Sequence, residues 1–363
     1  MKKKRLLFGA VDIGYRIEHY TKFIHEEFSD KLEVESFSKY VLAKDHFETK
    51  YTFTCEIYKK SNFYVYIYLF LFFLRALIRY DIFHFLSGEL ILTYKYRDLE
   101  LFLYKLLGKK VIMHFVGADI RSVKYSKWKN DNLKTYLETK INPFPMSDEN
   151  QLKLINLSKK YADKIIVSTP DLLQIIPDAI YIPVFIDIEN FQKIADYKFD
   201  KKLPLKILHS PSNKSIKGST YIIDQLMPLK EMNGIQVEVV IPKKTFDDCN
   251  KYYVLSRYEL INEMKKSHFL IDQLSIGWYG LQSIEALILG NVVFCYIEDT
   301  NIKYLFPNTP IINLNAVNLE SVIKENINLS YTNNIVEDNI EWVKKWHTIK
   351  SYKNIFYDLW LSK

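Results

Sequence analysis

The chain has 363 residues, of which 48% are hydrophobic and 26% charged, and its net charge is +7. A chain of this length is expected to form about two domains, and its composition excludes a disordered or fibrous protein. The positive charge favours an anionic partner: a nucleotide diphosphate, a polyprenyl phosphate, an acidic membrane face or nucleic acid. A solvated, lysine-rich surface explains the charge equally well.

The three cysteines, Cys55, Cys249 and Cys295, lie far apart and form no CxxC pair. This spacing indicates neither a disulfide framework nor a zinc site, and it fits a reducing cytoplasm. The longest apolar stretch, residues 63–74, is shorter than the ~18 residues that a membrane span requires, so no transmembrane segment is predicted. The stretch is predicted to be a buried helix of the first domain, with an interfacial helix as the alternative.

Short apolar runs rich in Val, Ile and Phe alternate with longer amphipathic segments along the chain. This alternation is typical of a parallel sheet covered by helices. The predicted strands are 5–11, 32–37, 81–86, 110–115, 164–168 and 180–185 in the first half, and 205–209, 236–241, 268–274, 292–297 and 311–314 in the second. The sequence therefore predicts two Rossmann-like α/β domains facing a cleft, residues 1–190 and 204–338, joined by a polar linker. Helical spacing continues over residues 339–363.

Residues 268–297 are predicted to form a strand, a glycine-bearing loop, a helix and a strand. Glu285 falls on the apolar face of that helix, so its carboxylate points inward. Burial of an ionised carboxylate is costly unless donors surround it. The partner is either a pair of ribose hydroxyls or an internal Lys or Arg, and burial alone favours the internal salt bridge. Gly277 and Gly280 in the loop would allow a ligand to approach the backbone.

A second segment, residues 205–226, is predicted to form a strand, a polar loop and a helix beginning near Lys217. Loop amides and a helix N-terminus attract phosphate, and Lys214 and Lys217 add two positive charges there. The segment predicts a diphosphate cradle, although it contains no Walker loop. The alternative is that both lysines only meet water.

In the first half, His114 and Asp119 lie at or just beyond the carboxyl end of a predicted strand, where open parallel sheets bind ligands. His114 is a candidate to orient or protonate a substrate oxygen near neutral pH, with a structural histidine as the alternative. Gly14, Tyr15 and Arg16 follow the first strand in a turn that lacks GxGxxG. A dinucleotide dehydrogenase is therefore disfavoured.

The order and spacing of these motifs resemble the family-four retaining glycosyltransferases of the two-Rossmann type known as GT-B, especially bacterial polysaccharide and lipopolysaccharide enzymes. The family's donor-binding segment, EGFGxxxxEAMAxGxPV, is similar to the residues from Gly277 through Tyr279 and Gly280 to Glu285. The resemblance implies that Glu285 holds the donor ribose. Gly277 stands where the family has its first Glu, and Asp272 or a loop amide would have to substitute for it.

Lys217 and the glycine after it match the end of the family's phosphate-binding GRxxxxKG loop, in which Ser212 replaces the Arg. The segment around His114 resembles the family's strand whose His contacts the donor sugar. The resemblance assigns Asp119 to the same catalytic edge and Gly14, Tyr15 and Arg16 to the acceptor side. Residues 339–363 resemble the family's closing helix, which packs back on the first domain.

The resemblance implies transfer of a sugar from a UDP- or GDP-linked donor to a glycan or a polyprenyl-diphosphate-linked acceptor, with retention of configuration. No metal, cofactor or nucleic acid is expected, and Lys214 and Lys217 would stabilise the charge on the departing diphosphate. The expected location is the cytoplasm, with peripheral contact at the inner face of the plasma membrane. Two alternatives stay open: a GT-B nucleotide-sugar epimerase, and a non-catalytic nucleotide-binding protein, which Gly277 in place of Glu favours.

Overall fold

A computed structural model describes residues 2–12, 16–39, 51–55, 62–122, 147–195, 204–211, 213–241, 255–315, 319–328 and 334–362. These residues form two compact units, each with its own sheet. The first unit holds the described residues up to Pro183 together with those from Ile349 onward. The second unit holds those from Val184 to Thr348.

The first unit contains a seven-stranded sheet in the order β3-β2-β1-β4-β5-β6-β7, and every pair of neighbours is parallel. Its strands are β1 (Lys4–Gly9), β2 (Leu32–Ser38), β3 (Phe53–Thr54), β4 (Ile82–Leu86), β5 (Lys110–Phe115), β6 (Lys164–Val167) and β7 (Ile180–Tyr181). Its α-helices are α1 (Arg16–Phe28), α2 (Asn62–Arg79), α3 (Arg97–Leu106) and α4 (Asp148–Tyr161), together with the last helix of the chain, Lys353–Leu361.

Helices cover both faces of this sheet, which explains why its strands are continuously apolar. Alternate residues of a strand point to opposite faces. Leu7 and Phe83 share one buried cluster with side chains of α2, α3 and α4. Phe8 and His84 point the other way, towards Tyr20 of α1.

The second unit contains a six-stranded sheet in the order β13-β12-β11-β8-β10-β9, parallel except for the β9–β10 pair. Its strands are β8 (Leu205–Leu208), β9 (Glu231–Met232), β10 (Ile235–Val240), β11 (Phe269–Ile271), β12 (Val292–Cys295) and β13 (Ile312–Asn313). Its helices are α5 (Ile188–Ala195), α6 (Lys214–Lys217), α7 (Ser219–Leu226), α8 (Arg257–Lys266), α9 (Leu281–Ile288), α10 (Asp299–Ile302), α11 (Leu319–Glu325) and α12 (Asn334–Trp346); Lys353–Leu361 is α13.

The prediction of an α/β chain with two parallel sheets is confirmed, and each predicted strand coincides with an observed one. The two-residue strands β3 and β9 were not predicted. The linker prediction is wrong in one respect, since α5 forms within it and buries Phe191. The terminal segment is also divided: α12 belongs to the second unit and α13 to the first.

α13 is held to the first unit by Trp360, which is fully buried. Its indole ring stacks on Phe356 at 4.9 Å and meets Phe28 edge-on at 5.6 Å. Its Nε1 donates a hydrogen bond to His84 Nδ1 at 3.1 Å. The terminal helix is therefore joined to the sheet by both apolar packing and a buried polar contact.

We predict that Trp360→Ala lowers the free energy of unfolding by about 3–5 kcal/mol, because it leaves a cavity and removes the donor to His84. Urea unfolding measures the change. Tyr357→Ala on the same helix is the control, since Tyr357 is exposed and its loss should cost less than about 1 kcal/mol. Equal effects of the two substitutions would contradict this role of Trp360.

Candidate functional site

At the carboxyl edge of the first sheet, His114 lies in a buried chain of hydrogen bonds. Its Nδ1 is 3.3 Å from His84 Nε2, and its Nε2 is 2.9 Å from Ser168 Oγ. The chain begins at Trp360, whose Nε1 faces His84 Nδ1. His114 is thus surrounded by protein on both ring nitrogens.

The donor at the start of this chain determines both histidine tautomers. An indole N–H can only donate, so His84 Nδ1 accepts and His84 Nε2 carries the proton. His84 then donates to His114 Nδ1, and His114 Nε2 donates to Ser168 Oγ. Burial lowers the pKa of His84 to about 3 and places the pKa of His114 well below its usual value, with the nearby His84 and Arg16 adding to the effect.

The hydrogen bonds and the pKa shifts favour the structural alternative for His114 over the catalytic one, which stays a prediction. A side chain that is neutral near pH 7 and already donates its only proton to Ser168 is unsuited to protonate a substrate there. The alternative, a structural histidine, describes its environment. Nothing in residues 110–115 alone distinguishes the two, because the partners come from β4, the end of β6 and α13.

Asp119, the second predicted catalytic residue, accepts hydrogen bonds from the backbone of the loop after β5. Its Oδ1 accepts hydrogen bonds from the backbone N–H of Gly117 and Ile120, and its Oδ2 accepts one from Val116. Burial raises the pKa of its carboxyl, and these backbone donors oppose the rise. The observed hydrogen bonds of this carboxylate all lie within the loop after β5, which favours a structural role, and its catalytic role stays a prediction.

Of the three residues predicted on the acceptor side, Gly14 and Tyr15 lie outside the described residues. Arg16 is the first residue of α1 and donates from Nη1 to Ser168 Oγ at 3.1 Å. Asp12 Oδ1 accepts from the backbone N–H of Arg16 and Ile17 and so caps the start of α1. Arg16 and His114 therefore meet on one serine hydroxyl.

In the second unit, Lys217 pairs with Asp272 at the carboxyl edge of the sheet. Asp272 directly follows β11, and its Oδ1 accepts a short hydrogen bond from Lys217 Nζ. The loop is held in place by its backbone as well, since Leu274 N donates to Lys217 O at 3.1 Å. Lys214 is the first residue of α6, and Gly218, with φ of 69°, separates this single turn from α7.

Asp272 also fastens the start of α9. Its Oδ2 accepts from Gly280 N at 3.1 Å and from Ser283 Oγ at 2.6 Å. Burial raises the pKa of this carboxyl, but Lys217 and the other donors outweigh burial, so its pKa lies below the usual range. Asp272 remains ionised, and its carboxylate accepts hydrogen bonds from the ammonium of Lys217, the backbone amide of Gly280 and the hydroxyl of Ser283. Gly280 lies beside it, and its role in a donor loop stays a prediction.

Glu285 is buried and forms a bidentate ion pair with Arg257, the first residue of α8. Glu285 Oε2 accepts from Nη1 at 2.6 Å, and Oε1 accepts a shorter bond from Nη2. Burial raises the pKa of Glu285, with Arg257 opposing the rise. The internal salt bridge, rather than a ribose contact, therefore satisfies this carboxylate, and Glu285 no longer supports a nucleotide site by itself.

The side chains of Glu285 and Ser283 also point to different sides of α9. Two residues along an α-helix correspond to a rotation of about 200°. Ser283 contacts Asp272 and, through it, Lys217, whereas Glu285 contacts Arg257. The expectation that Lys217 and Glu285 hold opposite ends of one ligand has no support in these contacts.

Tyr279 is buried, and its hydroxyl faces His347 Nε2 at 3.2 Å. His347 Nδ1 lies 2.7 Å from Val184 O, which can only accept, so Nδ1 carries the proton and Nε2 accepts from Tyr279. Tyr279 thus connects the loop before α9 to the end of α12. Its observed contact is internal, and its contact with a donor stays a prediction.

Gly277 stands where a side chain has no room. Its φ is +75°, and an added Cβ would come within 2.5 Å of Glu298 Cβ. Its carbonyl accepts from Glu298 N at 3.1 Å and from Asn301 Nδ2 at 3.0 Å. A side chain at position 277 would therefore collide with Glu298, from the loop after β12.

The sequence reasoning missed Arg257, Ser283, Glu298 and Ser168 and gave Asp272 only as a substitute. One signal existed for Arg257: Ser256 and Glu259 form a capping box that places Arg257 at the start of a helix. That motif predicts the helix but not the partner. Among the described residues, no group of three or more His, Cys, Asp and Glu side chains is arranged to hold a metal ion.

The buried histidines predict a pH dependence of stability. The pKa is about 3 for His84 and about 4 for His209 and His347, whereas an unfolded histidine binds a proton near 6.5. Below pH 6.5 the unfolded chain therefore binds more protons, and stability falls as the pH falls towards 4. Each such histidine should cost about 1.4 kcal/mol per pH unit in that window.

Urea unfolding at pH 7.5, 6.5 and 5.5 measures this dependence. From these histidines we expect a smaller loss between the first two values than between the second and the third, because the unfolded histidines are only half protonated at pH 6.5. His25→Gln is the control, because His25 is exposed on α1 and its replacement should preserve the profile. A stability that is equal at pH 7.5 and 5.5 would contradict neutral burial.

No protein-family model matches the chain, and no curated protein is similar to it in sequence. Solved structures do match. Sucrose-phosphate synthase from Thermosynechococcus elongatus is 12% identical with a TM-score of 0.61, over 99% of this chain and 98% of that one. Anabaena Alr3699/HepE in complex with UDP and glucose is 11% identical with a TM-score of 0.56, over 98% and 99%.

A third structure, named for a UDP-N-acetylglucosamine 2-epimerase from Listeria monocytogenes, is 12% identical with a TM-score of 0.51, over 100% of this chain and 98% of that one. Likeness at such low identity establishes the fold. The chain has the two-domain α/β fold of the GT-B glycosyltransferases.

Proposed function

We propose that the protein transfers a sugar from a nucleotide-sugar donor and that its second unit binds the donor. One observation carries the proposal: Lys217 Nζ, Gly280 N and Ser283 Oγ converge on Asp272 at the carboxyl edge of the second sheet. Ligands of open parallel sheets bind at this edge. The GT-B fold and the complex of HepE with UDP and glucose support the nucleotide-sugar donor.

In this proposal Lys217 shares its charge between Asp272 and the donor diphosphate. Its side chain is 14% exposed, whereas that of Asp272 is fully covered. Lys214, one turn earlier, adds a second charge at the same loop. As the glycosidic bond breaks, negative charge grows on the diphosphate, and fixed cations stabilise it. We propose that this occurs without a metal and that the departing phosphate takes the acceptor proton, with retention of configuration.

Glu285 takes a different role from the one that the family motif implies. Its side chain is 1% exposed, while that of Arg257 is 16% exposed and lies over the Phe191 ring at 5.7 Å. We assign Glu285 to positioning Arg257, whose guanidinium is the more accessible partner. Arg257 is then the group of this pair that would reach a nucleotide.

We further assign Glu298 to the role of the family's first Glu. Its Cβ lies against the position that a side chain on Gly277 would occupy. Its Oε2 accepts from Tyr296 OH at 2.8 Å, which orients the carboxylate. A carboxylate at this loop could accept hydrogen bonds from hydroxyls of the transferred sugar.

The acceptor is proposed to be a glycan or a polyprenyl-diphosphate-linked glycan of polysaccharide biosynthesis, with Arg16 on the acceptor side. UDP and GDP are the donor nucleotides to test first. The epimerase alternative stays open because of the Listeria structure. An epimerase converts donor to a new nucleotide sugar with no acceptor present, whereas a transferase needs an acceptor, so chromatography of both incubations separates them.

We predict that the ammonium of Lys217 contributes 10- to 150-fold to the affinity for a nucleoside diphosphate. A charge-assisted hydrogen bond is worth about 1.5–3 kcal/mol. Because removing Lys217 alone leaves a buried carboxylate unpaired, the comparison is between Asp272→Asn and the double variant Lys217→Met with Asp272→Asn. Calorimetric titration with UDP, GDP and ADP measures both.

Lys266→Ala, an exposed lysine on α8, is the matched control and should preserve affinity. Equal affinities for the single Asp272 variant and the double variant would remove Lys217 from the site. If none of the three diphosphates binds the unaltered chain, the proposed function itself fails.

We predict that Glu298→Gln lowers kcat/KM of transfer by 10- to 100-fold and changes nucleotide affinity by less than threefold, because the amide forms weaker hydrogen bonds to sugar hydroxyls. Tyr296→Phe should give a smaller loss of the same kind. The control is Asp299→Asn, since Asp299 is the exposed neighbour. A loss of UDP affinity equal to the loss of turnover would place Glu298 at the nucleotide instead of the sugar.

A further inference from the structure

Helix α2 exposes a continuous apolar face. One side of the helix packs into the core through Leu69, Phe72 and Phe73. The other side exposes Phe63, Phe70, Leu71, Leu74 and Ile78, the last to 86%. Ile67 is exposed as well, and positions 63, 67, 71, 74 and 78 recur every three or four residues with Phe70 beside them, so they form one stripe along the helix.

Helix α3 carries a second exposed apolar stripe. The rings of Phe73 on α2 and Tyr104 on α3 meet at 5.7 Å in the buried core. Leu99, Phe102 and Leu106 repeat at helical spacing on the outside of α3 and are all about half exposed or more. We call the exposed stripes of α2 and α3 together the apolar face. Scattered exposed apolar residues are common on proteins, but apolar stripes along two helices that share one core indicate an interaction surface.

A basic cluster adjoins the end of the apolar face. A pocket at the amino-terminal ends of β1, β4 and β5 is lined by Lys2, Lys3, Lys4 and Lys110, and by Ile78 of the apolar face. Ile78 therefore belongs to both surfaces. We call the four lysines the basic cluster.

Among the described residues no carboxylate forms an ion pair with the basic cluster, although Asp81 also lines the pocket. Arg5 and Arg79, which also line the pocket, pair with Glu33, and Arg79 pairs with Glu35 as well. No carboxylate of the described residues forms an ion pair with Lys2, Lys3 or Lys4. Lys110 donates to the Ser362 carbonyl at 2.8 Å, and burial together with the nearby Lys4 lowers its pKa.

We propose that the apolar face and the basic cluster together bind the surface of an anionic phospholipid bilayer, with α2 lying in the interface. α2 contains two arginines and no acidic residue, and it exposes Tyr64 and Tyr66, whose amphipathic rings suit the headgroup region. The lysines meet the lipid phosphates. No helix of the described residues is long and apolar enough to cross a bilayer.

A second copy of the chain fits this surface less well. A two-fold dimer brings the same patch of both subunits together, and here it would bring two basic clusters towards each other. An anionic bilayer offers the opposite charge next to an apolar layer. Lys110 begins β5 and His114 lies near its end, so the lipid surface and the carboxyl edge of this sheet are at opposite ends of one strand.

Vesicle sedimentation of the full chain tests the proposal without measuring any enzymatic activity, so its failure is distinct from a failure of the proposed transferase. We expect binding to vesicles of phosphatidylcholine with a third phosphatidylglycerol, at least tenfold weaker binding to phosphatidylcholine alone, and a strong decrease in 0.5 M NaCl. Lys2→Glu, Lys3→Glu and Lys4→Glu together should weaken binding more than tenfold, since each basic residue contributes about fivefold at an anionic surface.

Leu71→Asp with Ile78→Asp should abolish binding. Two matched controls come from the second unit: Met227→Asp with Ile302→Asp, and Lys303→Glu with Lys344→Glu and Lys345→Glu, all at exposed positions. Both controls should bind like the unaltered chain. Binding that both lysine triples reduce equally, binding that is equal on neutral vesicles, or a dimer in sedimentation velocity without vesicle binding would each overturn the proposal.

Discussion

A polar side chain that folding removes from water must find a partner inside the protein, and this constraint organises the carboxyl edges of both sheets. Asp272 meets it by gathering Lys217, Gly280 and Ser283. Through those contacts it joins the loop after β8 to the start of α9. The position of the candidate donor site follows from this one carboxylate.

The same constraint changes what the family motif means in this chain. Glu285 has the position of a ribose-binding residue, but Arg257 already satisfies both of its oxygens. A ligand at Glu285 would therefore have to replace a bidentate ion pair, which is costly to break when one charge stays buried. The spacing of residues around Glu285 is similar to the family motif. The more accessible charged group of the pair, however, is Arg257, which belongs to another helix, α8.

The first unit separates two kinds of chemistry along its strands. At the carboxyl ends, Trp360, His84, His114 and Ser168 form a directed series of hydrogen bonds, and burial keeps both histidines neutral. At the amino-terminal ends, lysines that form no ion pair with a carboxylate of the described residues adjoin an exposed apolar stripe of α2. A parallel sheet permits this division because all of its strands begin at one edge and end at the other.

The sequence by itself determined the fold class, the order of the long strands and the position of the helix that carries Glu285. Those features depend on the spacing of apolar residues, which can be read from a short stretch of neighbouring residues. Only the tertiary structure decided the partners. Arg257 lies 28 residues from Glu285, Lys217 lies 55 from Asp272, and Trp360 lies 276 from His84. A burial pattern shows that a carboxylate or a histidine needs a partner, but the partner is set by which strands and helices become neighbours, and no local pattern encodes that.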